Sequence, residues 1–136
     1  MDKIIDQIGG ETAVRHLVET FYDLIETKPE GENIRLLHTR GHGIPHARIE
    51  QFNFLSAFFG GRRHYYEKHG HMDVKLMHAH IPITQQDAEN WLMCMEQALD
   101  TCGHQEPVKT RLMTSFERVA NALVNNGKPI TDAPSA

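Results

Sequence analysis

Ten histidines stand among 136 residues, and histidine is the side chain that both ligates metals and moves protons near neutral pH. His38, His42 and His46 are four apart, a spacing that on a helix would bring three imidazoles onto one face, as a zinc site can use. Gly41, Gly43 and Pro45 interrupt that segment, so it reads as a polar loop with solvated rings and only a weak zinc or nickel signal. His16, His64, His69, His71 and His104 lack metal-motif spacing and read as surface residues.

His78 is different. On a short helix capped by Asp73, the residues Val74, Met77, His78 and Ile81 share one face, whereas His80 points elsewhere. Taken alone, an imidazole on an apolar stripe is a hydrogen-bonded core residue. Presented to an apolar cavity, it is the kind of single neutral ligand that holds haem iron. Trp91, the sole tryptophan, sits on an inward stripe and carries an N–H that needs a partner when buried. Tyr22 brings a hydroxyl to the edge of another apolar face. Gln51 and His38 lie near inward surfaces as well. Each has a plain alternative: Trp91 as core, Tyr22 as a boundary residue, Gln51 as an exposed one. Cys94 and Cys102 have no adjacent base and no C-x-x-C spacing, so neither reads as a nucleophile. No serine elbow, phosphate loop or paired-carboxylate pattern is visible.

The elements that must position these groups read as helices. After Gly9-Gly10, the residues Val14, Leu17, Val18, Phe21 and Ile25 recur at helical spacing up to Pro29 and Gly31. Asn33 to Leu37 suggests one further turn, and His38 to Pro45 a loop. Ile49, Phe52, Leu55 and Phe59 mark a second long helix, stopped by Gly60-Gly61. Arg62 to Gly70 is short and ends on a glycine. Thr84 followed by Asp87 predicts a capped start for a helix carrying Ala88, Trp91, Leu92, Met95, Leu99 and Cys102 inward. Pro107 opens the last, with Val108, Leu112, Phe116, Val119 and Leu123 on one face. No stretch alternates with period two, so the fold class is all-α. One domain spans residues 1–127, with 128–136 as a frayed tail.

Composition narrows the function. A net charge of −4 argues against nucleic acid and anionic membrane as partners. No apolar run approaches a membrane span, Met1-Asp2-Lys3 does not open a signal peptide, and two cysteines suit the reducing cytoplasm.

Several stretches together resemble group II truncated haemoglobins, the small two-on-two globins of bacteria and plants. They include Phe21-Tyr22, Ile34-Arg-Leu-Leu-His38, Gly60-Gly61, Glu67-Lys-His-Gly-His71, Leu76-Met-His-Ala-His-Ile-Pro-Ile83 and Asp87-Ala-Glu-Asn-Trp-Leu-Met-Cys-Met95. The resemblance implies a truncated globin-like two-on-two helical sandwich holding haem b, with His78 as the proximal iron ligand. It makes Tyr22 and Trp91 the groups that stabilise a bound gas, with His38 and Gln51 beside them. Ala47, Phe59, Tyr65 and Lys75 are the further cofactor contacts it implies. Met72, Met77 and Gln51 depart from the pattern, where a proline, an arginine and an apolar residue are common.

What the resemblance implies about activity is binding of dioxygen, nitric oxide and carbon monoxide at a five-coordinate iron. Oxidation of nitric oxide to nitrate, or peroxidase-like detoxification, would need an unidentified external reductase, because no flavin or nicotinamide motif is present. A sensor or storage protein without catalysis, and a non-haem histidine-rich metal binder, are the alternatives. The chain is expected to be a monomer or weak homodimer.

Overall fold

The computed structural model describes residues 3–73, 78 and 81–125. A short helix α1 (Ile4–Ile8) leads into α2 (Gly10–Thr27), which places Val14, Leu17, Val18, Phe21, Tyr22 and Ile25 in the interior. A 3₁₀ turn over Pro29–Gly31 reverses the chain. Only glycine fits at position 31, because a Cβ there would lie 2.2 Å from the carbonyl oxygen of Ile25. Arg35 also reaches that carbonyl, donating from Nη1 at 2.6 Å, and so satisfies the end of α2.

Helix α3 runs over Glu32–Arg40 and α4 over Ile44–Phe58. The expected loop from His38 to Pro45 is therefore shorter than its glycines suggest: His38 closes the last turn of α3, and α4 begins at Ile44. The intervening turn is held by the N–H groups of Gly41 and Gly43, both donated to the His38 carbonyl at 3.0 and 2.9 Å. Helix α5 (His64–His69) ends on the left-handed Gly70.

Helix α6 (Gln85–Thr101) starts with the expected capping box, in which Thr84 Oγ1 accepts from the Asp87 N–H and the Asp87 carboxylate accepts from the Thr84 N–H. Asn33 of α3 donates to the same carboxylate at 2.6 Å, so the cap also ties α3 to α6. Helix α7 (Val108–Leu123) buries Leu112, Met113, Phe116 and Ala120.

Helix α2 packs against α4 and against α6, and α6 against α7, which gives two pairs stacked across one apolar core. The described residues include no strand. The all-α, two-on-two expectation holds. The proposed tail, residues 128–136, lies outside the described residues, as do Val74, Lys75, Met77 and His80.

Candidate functional site

The core opens into a cavity of about 290 Å³ between the two helix pairs, at the lower limit for small-molecule sites. Every helix from α2 to α7 contributes to its lining, and so do His78 and Ile81 from the segment between α5 and α6. Its walls are mostly apolar, with Ile34, Leu37, Phe54, Phe58, Ile83 and Phe116 among them. Against these stand a few polar groups: Tyr22, His38, Gln51, His78 and Trp91. Most of the predicted site residues thus meet in one place.

Tyr22 is almost fully buried, with its ring edge-on to Phe21 at 4.9 Å and to His38 at 5.6 Å between centroids. Burial pushes its phenol pKa up, only partly offset by the charge of Arg48, whose guanidinium lies 5.8 Å from the ring centroid. The hydroxyl therefore stays protonated and able to donate. Arg48 itself is held by Glu19, Asp23 and Glu26 of α2, which locks α4 beside Tyr22.

His38 has its pKa lowered to about 4, first by burial and then by the proximity of His78. Its ring is accordingly neutral at physiological pH, and the two imidazoles are near enough for a charge on one to oppose a charge on the other. Trp91 lies one turn beyond the Asp87 cap. It packs on Phe21 at 5.0 Å and edge-on to Phe116 at 5.5 Å. These contacts orient an indole that lines the cavity.

His78 is half-buried on helical backbone, and its carbonyl accepts from the Ile81 N–H at 3.0 Å. The chain just after it is clamped from far away. Asn125, past the end of α7, donates from Nδ2 to the Ile81 carbonyl and accepts at Oδ1 from the Ile83 N–H, both at 2.8 Å. Sequence reading missed Asn125, because nothing local links it to a segment more than 40 residues earlier.

Ala47 and Tyr65 line the cavity as well, Tyr65 with its ring against those of His69 and His71 at 4.3 and 5.9 Å. Phe59 does not line it, contrary to the expected cofactor contact. It follows the last residue of α4, its carbonyl accepts from the Ile5 N–H at 2.9 Å, and its ring packs in the core against Phe58 and Phe116. Phe58 takes the cavity position, stacked on Phe116 at 5.3 Å. Lys75 lies outside the described residues.

The cavity mouth is richer in charge than expected. Glu50 accepts from Lys68 Nζ at 2.6 Å and pairs with His69 Nε2 at 2.5 Å, joining α4 to α5. Burial alone would raise its pKa, but these two partners hold the carboxyl below the usual range. His64 and His69, read as surface residues, are half-buried and paired with Glu11 and Glu50.

This donor set fits haem. A flat apolar macrocycle asks for apolar walls, one imidazole for the iron and a few donors on the side where a ligand binds. His78, the surrounding aromatic and aliphatic side chains, and Tyr22 with Trp91 meet those demands. Among the described residues, no three His, Cys, Asp or Glu side chains are grouped to hold a metal ion by themselves. None of the described helices is long and apolar enough to cross a membrane.

Comparison with known proteins points the same way. A sequence model of the bacterial-like globins matches residues 3–125. Group 2 truncated hemoglobin YjbI of Bacillus subtilis (strain 168) is 31% identical over 116 residues, covering 85% of this chain and 84% of that relative. The group II 2-on-2 hemoglobin of Agrobacterium tumefaciens superposes with a TM-score of 0.86 at 28% identity, over 92% of this chain and 95% of its own. A truncated oxygen-avid haemoglobin from Bacillus subtilis superposes with a TM-score of 0.80 at 30% identity, over 91% of this chain and all of the other, 100%.

Proposed function

Because this chain belongs to the bacterial-like globin family, as a group II truncated haemoglobin, we propose that it binds one haem b through His78 and uses the cavity to hold dioxygen. The observation that carries this reading is the convergence of His78, Tyr22, Trp91 and His38 on a single apolar cavity. The haem supplies an iron with a position open to a diatomic gas. No C-x-x-C-H occurs in the sequence, so the group is held non-covalently.

The chain's own residues decide which gas stays. Donors aimed into a dry cavity stabilise negative charge on a bound ligand far more than they would in water. Tyr22 and Trp91 are donors of this kind. The indole N–H can only donate, and the buried phenol resists ionisation. A neutral His38 can donate or accept beside Tyr22, and Gln51 can do both. Held protonated, Tyr22 is a poor anionic donor to a metal, and the neutral His38 is the imidazole beside it. Tyr65 would meet the carboxylate edge of a bound haem, and the small Ala47 would leave the entry open.

Carbon monoxide and nitric oxide fit the same cavity. Oxidation of nitric oxide there would need one electron per turnover from a separate reductase, and the net acidic charge suits a soluble cytoplasmic setting for that exchange.

The test is the visible spectrum of the protein after haem titration. Wild type and His80→Ala should take up haem to one equivalent with a sharp Soret band, and His78→Ala should fail to form the stable five-coordinate ferrous species. If His78→Ala kept a wild-type spectrum while His80→Ala lost it, the ligand assignment would fall.

A further inference from the structure

His42 and His46 take no part in holding haem or gas in the reading above, yet both line the mouth of the cavity. Their rings lie side by side in space with centroids 4.9 Å apart and planes inclined at 51°. A cation bound through two imidazole nitrogens at about 2.0–2.1 Å sits roughly 3.2 Å from each ring centroid. With one nitrogen of each ring turned to the cation, a centroid separation of 4.9 Å would give an N–metal–N angle of about 100°, close to the ~109° of a tetrahedral site. We propose that His42 and His46 bind a divalent late transition metal of the Zn²⁺ type at the cavity mouth, outside the haem.

The pair is built by a turn and not by a continuous helix. His42 lies between α3 and α4, and His46 in the first turn of α4. Gly43 between them has φ +88°, a conformation that an L side chain rarely adopts, and its N–H is held by the His38 carbonyl. Pro45 sits in the first turn of α4, where its missing N–H costs nothing. Both imidazoles are on exposed residues, so a hydrated cation can reach them.

Imidazole nitrogen suits zinc, copper and nickel and discriminates against magnesium and calcium, which ask for oxygen. Glu50, one turn after His46, does not complete the set, because Lys68 and His69 occupy its carboxylate. With no third side chain grouped on the pair among the described residues, water fills the remaining positions. Such a site is exchangeable, unlike the closed four-ligand sites that hold structural zinc. A cation there would pin the α3–α4 turn to α4, beside His38 and the entry past Ala47.

The experiment is a Zn²⁺ titration of chelator-treated haem-loaded protein against a colorimetric zinc indicator. Wild type and His16→Ala, a change on the exposed face of α2, should show one saturable site of the same affinity. His42→Ala and His46→Ala should each weaken it by roughly tenfold or more, on the scale by which disturbing a metal's ligand environment lowers affinity. The double variant should lose it while keeping the wild-type haem spectrum, which separates this site from His78. Bound Zn²⁺ should also slow carbon monoxide rebinding in wild type and leave the double variant unaffected. Absence of saturable binding in wild type, or equal affinity in the double variant, overturns the proposal.

Discussion

The inner wall of the cavity and its mouth are built on opposite principles. Tyr22 and Trp91 on the inner wall belong to long helices whose apolar stripes lock into the core, packed through Phe21 and Phe116. The mouth is a short turn and parts of two helices carrying His42, His46, Glu50, Lys68 and His69, held by ion pairs that water reaches from the Lys68 side. Burial amplifies every polar interaction on the inner wall, whereas solvent screens those at the mouth. Substitutions inside should therefore change stability and gas retention strongly, and substitutions at the mouth should act gently.

The largest expected effect is on acid stability through His38. Its folded pKa of about 4 lies below the ordinary 6.5. Protonation is thus opposed in the folded protein, and stability is complete above about pH 6.5 and lost progressively as pH falls towards 4. At 1.36 kcal/mol per unit, the full loss is about 3 kcal/mol. His38→Phe removes that limb, so the urea midpoint of wild type should fall further than that of the variant between pH 7 and pH 4. Parallel pH profiles would show that His38 is solvated like the residues at the mouth.

Next comes Trp91. A hydrogen bond to a charged acceptor contributes about 1.5–3 kcal/mol, or roughly 10- to 150-fold in an equilibrium constant. Trp91→Phe should raise the dioxygen off-rate within that range and alter carbon monoxide dissociation much less, because bound carbon monoxide develops little charge. Stopped-flow displacement measures both. A dioxygen off-rate within about twofold of wild type would reduce Trp91 to core packing, since that change is far below the bond's expected value.

The smallest effect belongs to Glu50. Its carboxyl titrates below the ordinary range in the folded state, so its contribution is present above the unfolded pKa and fades as pH falls through the folded one. Solvent screening limits an ion pair of this kind to under about 1 kcal/mol. Glu50→Gln should lower the melting temperature slightly at pH 7 and by progressively less as pH falls through the carboxylate range, with gas off-rates unchanged. A larger loss at neutral pH would mean that the mouth is as tightly coupled to the core as the inner wall.

The same contrast governs what was legible beforehand. The stripe from Val14 to Ile25 and the Thr84–Asp87 cap were readable because each depends on neighbours within one or two helical turns. Gly41 and Gly43 led to a longer loop than exists, because the backbone bonds to the His38 carbonyl that compress it leave no mark in composition. Phe59 continues the period of α4 but follows its end, so its ring turns into the core and Phe58 faces the cavity.

By itself, the sequence determined the helical class, the inward stripes and the residue types suited to haem, since burial of apolar periodicity is a local demand written into spacing. Tertiary structure alone decided that His42 meets His46, that Glu50 is taken by Lys68 and His69, and that Asn125 clamps the segment after His78. Those contacts depend on the angles at which turns and helix ends meet. Such angles follow from the packing of the whole core, and no short-range pattern encodes them.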